Sequence, residues 1–430
     1  MIRLRQVATA LLALSALTAC GNNGSSADPP ASGLQAVPGD GTVVVTWSDD
    51  LSTDYWMFVS TDPRLTSDNF TTLTDIRVIR TVRSPYVLCS YADGRTLYLA
   101  MNGRRNGGPG GAGTPTINTT TRAAGTTWTL GTAPPVDFTA MAFSPLTGCL
   151  PSGLPTGTFI AVGPNANIAS SGDGITFTVG SPPVGFTTNL NAVATYTTNP
   201  GVLTQKMIAV GDGGASILSS DGAVWTLGAS FDAAAPALRG IALNLGVFLA
   251  VGDGGVAQTT TDGISWTPHS SGTSSNLQGI ACTGDRCIAV GDGGAVTRTL
   301  DNGLTWEVQQ VNGAPSLKKV IFGNNNNNLG ATTVAINTWV AVGDQGSVAY
   351  SVDGGGTWAT TSVGGATDFV AIAYITRFVA LDSVGNSFTS QDGVNWVGPV
   401  PTGLAGPAGL TSNGVGFVAV GAGGGTVSSF

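Results

Sequence analysis

The chain has 430 residues, of which 42% are hydrophobic, only 10% are charged and 63 are glycine, with a formal net charge of −8. That apolar content excludes a wholly disordered chain, and the scarcity of Lys and Glu beside so much Gly excludes a helical one. His269 is the only histidine, which excludes multi-histidine metal sites and leaves one possible base for Ser-His-Asp catalysis.

At the N-terminus Arg3 and Arg5 precede an apolar run from Val7 to Leu17. A basic start and an apolar stretch too short to span a bilayer predict an export signal over residues 1–19. The segment Leu17-Thr18-Ala19-Cys20-Gly21 resembles a bacterial lipobox. That resemblance implies lipidation of Cys20 as the first mature residue, the alternative being an ordinary secretory signal with an incidental cysteine. Gly21 in place of Asp then fits transport to an outer membrane. Residues 20–31, small and polar, read as a lipidated tether. Residues 21–122 carry a net charge of −1 and residues 123–430 a net charge of −9. An acidic C-terminal part excludes nucleic acid and anionic lipid as its partners.

Four further cysteines in an exported chain favour disulfides. Cys282-Thr-Gly-Asp-Arg-Cys287 places two cysteines on either side of a turn, so Cys282 and Cys287 are expected to bond across a hairpin. By elimination Cys89 would pair with Cys149.

The first folded segment opens with an apolar run from Gly33, a Pro38-Gly39-Asp40-Gly41 turn and an alternating strand Thr42–Trp47. Tyr55–Val59 reads as another strand, Tyr91–Ala100 as a turn and a strand, and Ile117–Thr121 as the last. About ninety residues of short strands have the proportions of a β-sandwich. The segment resembles a fibronectin type III domain over residues 32–121, with Trp47 at the family's buried tryptophan and Tyr98 at its tyrosine corner. The strands between Arg64 and Arg83 are not assignable from the pattern. In that family such domains are spacers or protein-binding modules.

The rest of the chain repeats. Ile208-Ala-Val-Gly-Asp212-Gly-Gly214 recurs at Leu249–Gly255, Ile288–Gly294 and Val340–Gly346, with weaker copies at Ile160, Val379 and Val418. The first six copies are each followed by a Ser/Thr, an Asp, a Gly and an aromatic. Their aspartates are Asp173, Asp221, Asp262, Asp301, Asp353 and Asp392, spaced by 48, 41, 39, 52 and 39 residues. A period near forty built of short strands and Gly-rich turns predicts propeller blades rather than helical repeats. In the fourth repeat the strands are expected at Leu277–Cys282, Cys287–Val290, Ala295–Thr299 and Thr305–Gln309. The Ser/Thr-x-Asp-Gly line resembles the Asp-box, or bacterial neuraminidase, repeat. The combined pattern resembles propellers of the photosystem II assembly-factor family over residues 125–430.

The last repeat ends at Phe430 before any fourth strand, whereas Gly125-Thr-Thr-Trp128-Thr-Leu-Gly131 matches Gly222-Ala-Val-Trp225-Thr-Leu-Gly228. The expected fold is therefore all-β: a small fibronectin type III sandwich, then a seven-bladed propeller over 122–430 closed by the 125–131 strand, with Trp128 as a core aromatic.

Blade geometry puts Asp212, Asp253, Asp292 and Asp344 around one rim. They could form an acidic ring for a cation or basic peptide, or serve only as solvated Asp-Gly turn residues. The Asp-box aspartates read as structural. A sialidase needs an arginine triad, a Tyr–Glu pair and an acid; Arg239, Arg286, Arg298 and Arg377 do not form that pattern, and Glu307 follows a box Trp on an outer strand. No pair of carboxylates outside turns suits hydrolysis, and His269 reads as a loop residue between blades. The Asn324–Asn328 run and the insertion Pro145–Gly157 read as loops. No cofactor or metal motif appears. The expected function is a non-catalytic, envelope-anchored binding or scaffold lipoprotein at the outer membrane, held to the membrane by its N-terminal lipid and binding an envelope protein or glycan. The alternative is a sialidase-like glycoside hydrolase. The assembly-factor resemblance implies help in building another complex. That family grips its client through basic residues, so the acidic charge here implies a different client.

Overall fold

The computed structural model describes residues 26–27, 33–39, 41–84, 86–88, 91, 94–105, 110–145, 157–198, 204–230, 232, 234–324, 337–363 and 367–430. The export signal, Cys20, Cys89, Cys149 and the inner parts of the Asn324–Asn328 and Pro145–Gly157 segments lie outside them. The chain divides into two compact units: among the described residues nearly all of those up to Arg122 fall in the first, and those from Ala123 onward, with Gly39 and Gly41, in the second. Arg122 thus belongs with the first unit, not the second.

In the first unit Gln35–Gly39, Thr42–Thr46 and Tyr86–Leu88 form one sheet. A second sheet joins Asp54–Ser60, Ile76–Val82 and Thr96–Arg104, with Ser26–Ala27 and Ile117–Thr120 both on the last of these. Period-two alternation points Val43, Val45, Met57, Val59, Leu97, Leu99 and Met101 into one buried cluster. Trp47 is buried there against the edge of Tyr55, ring centroids 5.7 Å apart. Tyr98 departs from the tyrosine-corner expectation. It falls on the opposite parity to Leu97 and Leu99 and packs with Phe58 and Leu65 on the sheet's other face. The strand missed in sequence, Ile76–Val82, has no clean alternation because its register shifts against the neighbouring strand between Tyr55 and Met57, with Thr81 at φ 57°.

The second unit contains seven four-stranded antiparallel sheets among the described residues, six of them with their strands in chain order. Sheet 1 spans residues 140–179, sheet 2 190–227, sheet 3 238–270, sheet 4 277–310, sheet 5 317–362, sheet 6 369–401 and sheet 7 407–429. The first strands pack on one another in sequence, and that of sheet 7 packs on that of sheet 1, so the seven close a ring around a central channel. Sheet 7 takes its fourth strand from Thr129–Leu130, paired with Val427 and Ser428. Gly131 N donates to Thr426 O at 2.9 Å, Gly125 N to Ser429 Oγ at 2.8 Å and Trp128 Nε1 to Ser387 Oγ at 2.9 Å. Trp128 is half-buried rather than a core residue, packed at the margin of the cluster of Val379, Leu381 and Phe417 between sheets 6 and 7.

In sheet 4 the strands are Leu277–Thr283, Arg286–Gly291, Ala295–Thr299 and Glu307–Gln310. Cys282 and Cys287 face each other across the first hairpin and are disulfide-bonded, Cα atoms 4.0 Å apart. Trp225 is 2% exposed and fills the seam between sheets 1 and 2 among Ile160, Val162, Ile168, Met207 and Ile217.

The Ser/Thr-x-Asp-Gly turns have one geometry throughout. The hydroxyls of Ser171, Ser219, Thr260, Thr299, Ser351 and Ser390 donate to Oδ1 of the following aspartate over 2.7–3.0 Å, and each accepts the N–H of the turn glycine. The same Oδ1 accepts backbone N–H groups further along, as Asp221 does from Ala223 and Val224. These bonds hold the carboxyls below their ordinary range. The N–H of Val224 leads for Asp221, that of Ser265 for Asp262 and the Thr357 hydroxyl for Asp353; in Asp173, Asp301 and Asp392 burial pushes upward and is overcome. Because the folded state lowers these pKa values, the stability they supply is complete above the unfolded value of about 4 and is lost as pH falls below it. Acid titration of the melting temperature should therefore show a decline from about pH 4 downward, shallower in an Asp221→Asn/Asp262→Asn variant. An equally steep decline in that variant would exclude these turns as its source.

Candidate functional site: the mouth of the central channel

The four predicted rim aspartates open the tight turns between second and third strands, all at one end of the channel. The glycine before each has no room for a side chain: a Cβ at Gly291 would stand 1.9 Å from Asn276 O. The next position is left-handed, with Gly213, Gly254 and Gly293 at φ 59–65° and Gln345 at 58°.

None of these carboxylates points freely to solvent. In sheets 2 to 7 the first strand carries a register shift just before the channel, and the extra residue turns its side chain toward the mouth. In sheet 2 Asn191 Nδ2 donates to Asp212 Oδ1 at 2.9 Å, and Asn189 Nδ2 to Oδ2 at 2.9 Å. In sheet 3 Arg239 grips Asp253 with two parallel bonds of 2.7 and 2.9 Å. In sheet 4 Gln278 Nε2 and Asn276 Nδ2 donate to the two oxygens of Asp292 at 3.0 and 2.9 Å. In sheet 5 Lys318 Nζ lies 2.5 Å from Asp344 Oδ1 and 3.5 Å from Asp368 Oδ2. Thr139, Ser316, Lys319, Val370, Pro407 and Ala408 also line the mouth, a cavity of about 410 Å³.

Some residues also latch one sheet to the previous one. Asn276 Oδ1 accepts Gly254 N at 2.8 Å, Asp368 Oδ1 accepts Gln345 N at 2.9 Å, and Asp137 Oδ1 accepts Gly423 N at 2.8 Å. The rim is thus a network of alternating acids, amides and cations rather than a bare acidic ring. Among the described residues no cluster of His, Cys, Asp or Glu could hold a metal ion. Asp382 is fully buried in its own turn and accepts from Val384 N, Asn386 N and Asn386 Nδ2.

The arginines weighed for sugar binding do not converge. Arg239 is at the channel mouth, Arg298 pairs with Glu307 on outer strands at 2.7 Å, and Arg286 pairs with Asp285 and donates to Gly354 O. His269 is not in a loop; it sits on the strand Thr267–Ser270 opposite Ala257, its Nε2 2.9 Å from Thr259 Oγ1.

Asn191, Arg239, Gln278 and Lys318, which hold the rim aspartates, were not foreseen. A signal for them exists in the sequence: Leu190-Asn-Ala-Val-Ala, Leu238-Arg-Gly-Ile-Ala, Leu277-Gln-Gly-Ile-Ala and Leu317-Lys-Lys-Val-Ile align, with the bulged residue always second.

No protein-family model and no curated protein matches the chain. Solved structures do. YCF48 from Cyanidioschyzon merolae is similar at 14% identity and a TM-score of 0.51, over 70% of this chain and 98% of that one. A structure described as YCF48 bound to D1 peptide is similar at 16% identity and a TM-score of 0.53, over 70% of this chain and 94% of that one. The WD40 repeats of RRP9 are similar at 10% identity and 0.51, over 71% and 98%. These likenesses show a β-propeller fold.

Proposed function

We propose that the second unit is a complete seven-bladed propeller of Asp-box repeats and works as a non-catalytic binding scaffold, with the channel mouth as its recognition face. The observation that carries this reading is the mouth itself. It is open and lined by polar side chains, and its rim carboxylates are each held by a neighbouring amide or cation, which fits recognition better than proton transfer. A neighbour of the same fold is described as bound to a peptide, and a protein partner fits the size and polarity of this face. The glycoside hydrolase alternative wants two facing carboxylates and converging arginines, and the residues considered for it are scattered or already paired. On this reading the first unit is a fibronectin type III spacer, and a lipidated Cys20 tethers the chain to a bacterial cell envelope, at the outer membrane.

The test is a pull-down from envelope extracts with the chain from Gly21 onward, beside the same chain carrying Arg239→Ala and Gln278→Ala. A partner retained by the first and lost from the second is the expected result. Turnover of a sialoside or other glycoside by the purified chain, abolished by a change at the rim, would overturn the reading.

A further inference from the structure

One side chain in the channel breaks the pattern of the ring. The first strands present Ala140, Ala192, Gly240, Gly279, Ala371 and Gly409 at equivalent positions, all but Ala140 next to a bulge. The backbones approach closely here: a Cβ at Gly279 would stand 2.6 Å from Lys318 O, and one at Gly409 2.9 Å from Met141 N. Sheet 5 places Lys319 at this position. The lysine lines both the narrow part of the channel, a cavity of about 130 Å³, and the wider mouth above it. Among the described residues its ammonium has no hydrogen bond and no ion pair, whereas Lys318 beside it is paired with Asp344 and Asp368. The remaining charged groups lining the mouth are Arg239, Asp292 and Asp344. Arg239 and Asp344 have counter-ions; Asp292 is held only by the neutral amides of Asn276 and Gln278. An enclosed cation thus lies deep and a carboxylate without a cation of its own lies nearer the surface.

We propose that the channel and its mouth form a binding site for a dipolar ligand, a carboxylate paired with Lys319 and a cationic group directed to Asp292. This deepens the reading of the mouth as the recognition face and rests on it. Several physical points support it. An unpaired ammonium in a confined channel is costly, and a bound carboxylate removes the cost. Burial already pushes the Lys319 amine below the ordinary lysine range, so a bound carboxylate should raise it. The narrow cavity exceeds the roughly 10–15 Å³ that one water needs, so it can admit a small organic group. The acids at the mouth disfavour a multiply charged anion such as phosphate, while a ligand carrying its own cation satisfies both ends.

Calorimetric titration of the whole chain with glycine, 4-aminobutyrate and 6-aminohexanoate tests this, beside acetate, butylamine and inorganic phosphate. At least one amino acid of the series should bind roughly tenfold or more tightly than acetate or butylamine. Lys319→Ala restores the small residue used by the other six sheets, so the ring should still close, and it should abolish that preference. Asp292→Asn should reduce the best amino acid to the level of acetate. Lysine is present only at 206, 318 and 319. Reductive methylation with ¹³C-formaldehyde therefore gives a countable spectrum, in which the signal missing from Lys319→Ala should titrate at higher pH once the ligand is bound. A tripeptide with a free C-terminus, compared with its amide, separates the sources. Tighter binding of the free-acid peptide than of any amino acid assigns a chain end, and the reverse assigns a free metabolite. Absence of binding by the whole series, unchanged binding in Lys319→Ala, or phosphate binding as tightly as the best amino acid would overturn the proposal. Because the probes are small molecules, failure here is distinct from failure of the pull-down.

Discussion

Replacing residues 125–131 with a Gly/Ser segment of equal length should lower the melting temperature of the second unit by roughly 10–20 °C. The segment gives sheet 7 its only fourth strand through Thr129 and Leu130, and three further bonds fix it: Gly131 N to Thr426 O, Gly125 N to Ser429 Oγ and Trp128 Nε1 to Ser387 Oγ. Ser387 Oγ in turn donates to Gly125 O at 3.0 Å, tying the segment to sheet 6 as well as to sheet 7. Each bond contributes about 1 kcal/mol net, and burial of half an indole adds about 2, for roughly 5 kcal/mol in all. For a unit of this size each kcal/mol moves the midpoint by about 2–4 °C. The replacement also exposes the outer edge of Thr426–Ser429, an invitation to edge-to-edge association, so oligomers should appear in sedimentation as the melt falls. A calorimetric midpoint within a degree of the parent's would show that the ring does not depend on this closure.

Trp225→Ala should cost about 3–5 kcal/mol, the range for removing a fully buried large aromatic. Trp225 and Trp128 occupy matching places in their repeats, yet they differ in environment. Trp225 is 2% exposed among Ile160, Val162, Met207 and Ile217, with its Nε1 donating to Gly222 O at 3.2 Å. Truncation there opens a seam between two sheets that cannot collapse, because both backbones are fixed in register. Trp128 is half-buried, and Trp128→Ala should cost about half as much. Denaturant unfolding of both variants measures the difference. Equal losses would mean that the repeat position, and not burial, sets the contribution of the indole.

The two tryptophans also show where sequence reading succeeds. Their shared line Gly-x-x-Trp-Thr-Leu-Gly revealed that a strand from the start of the unit matches the piece missing at its end. Burial was not legible there, because it depends on which surface a neighbouring sheet covers. The first unit gives the same lesson at Tyr98. The fibronectin type III resemblance placed Tyr98 at a tyrosine corner, but alternation through Leu97 and Leu99 turns it to the other face. In the strand Ile76–Val82 an irregular register with Thr81 at positive φ removes the period of two on which strand recognition relies.

The channel mouth was half legible. Asp212, Asp253, Asp292 and Asp344 stand out because the same short turn recurs with glycines that nothing else can replace, and local geometry is written in local residues. Their partners Asn191, Arg239, Gln278 and Lys318 lie 21, 14, 14 and 26 residues upstream. That separation varies because the hairpins differ in length. Sequence alone determined the all-β character, the period and the turns, since each is set by steric and hydrogen-bonding preferences within a few residues. Only the tertiary structure decided that the rim acids are held by neighbouring amides and cations, and that Lys319 has no partner among the described residues of the ring. Closing a ring brings together positions forty residues apart, and whether a charge finds its counter-charge is settled by that closure.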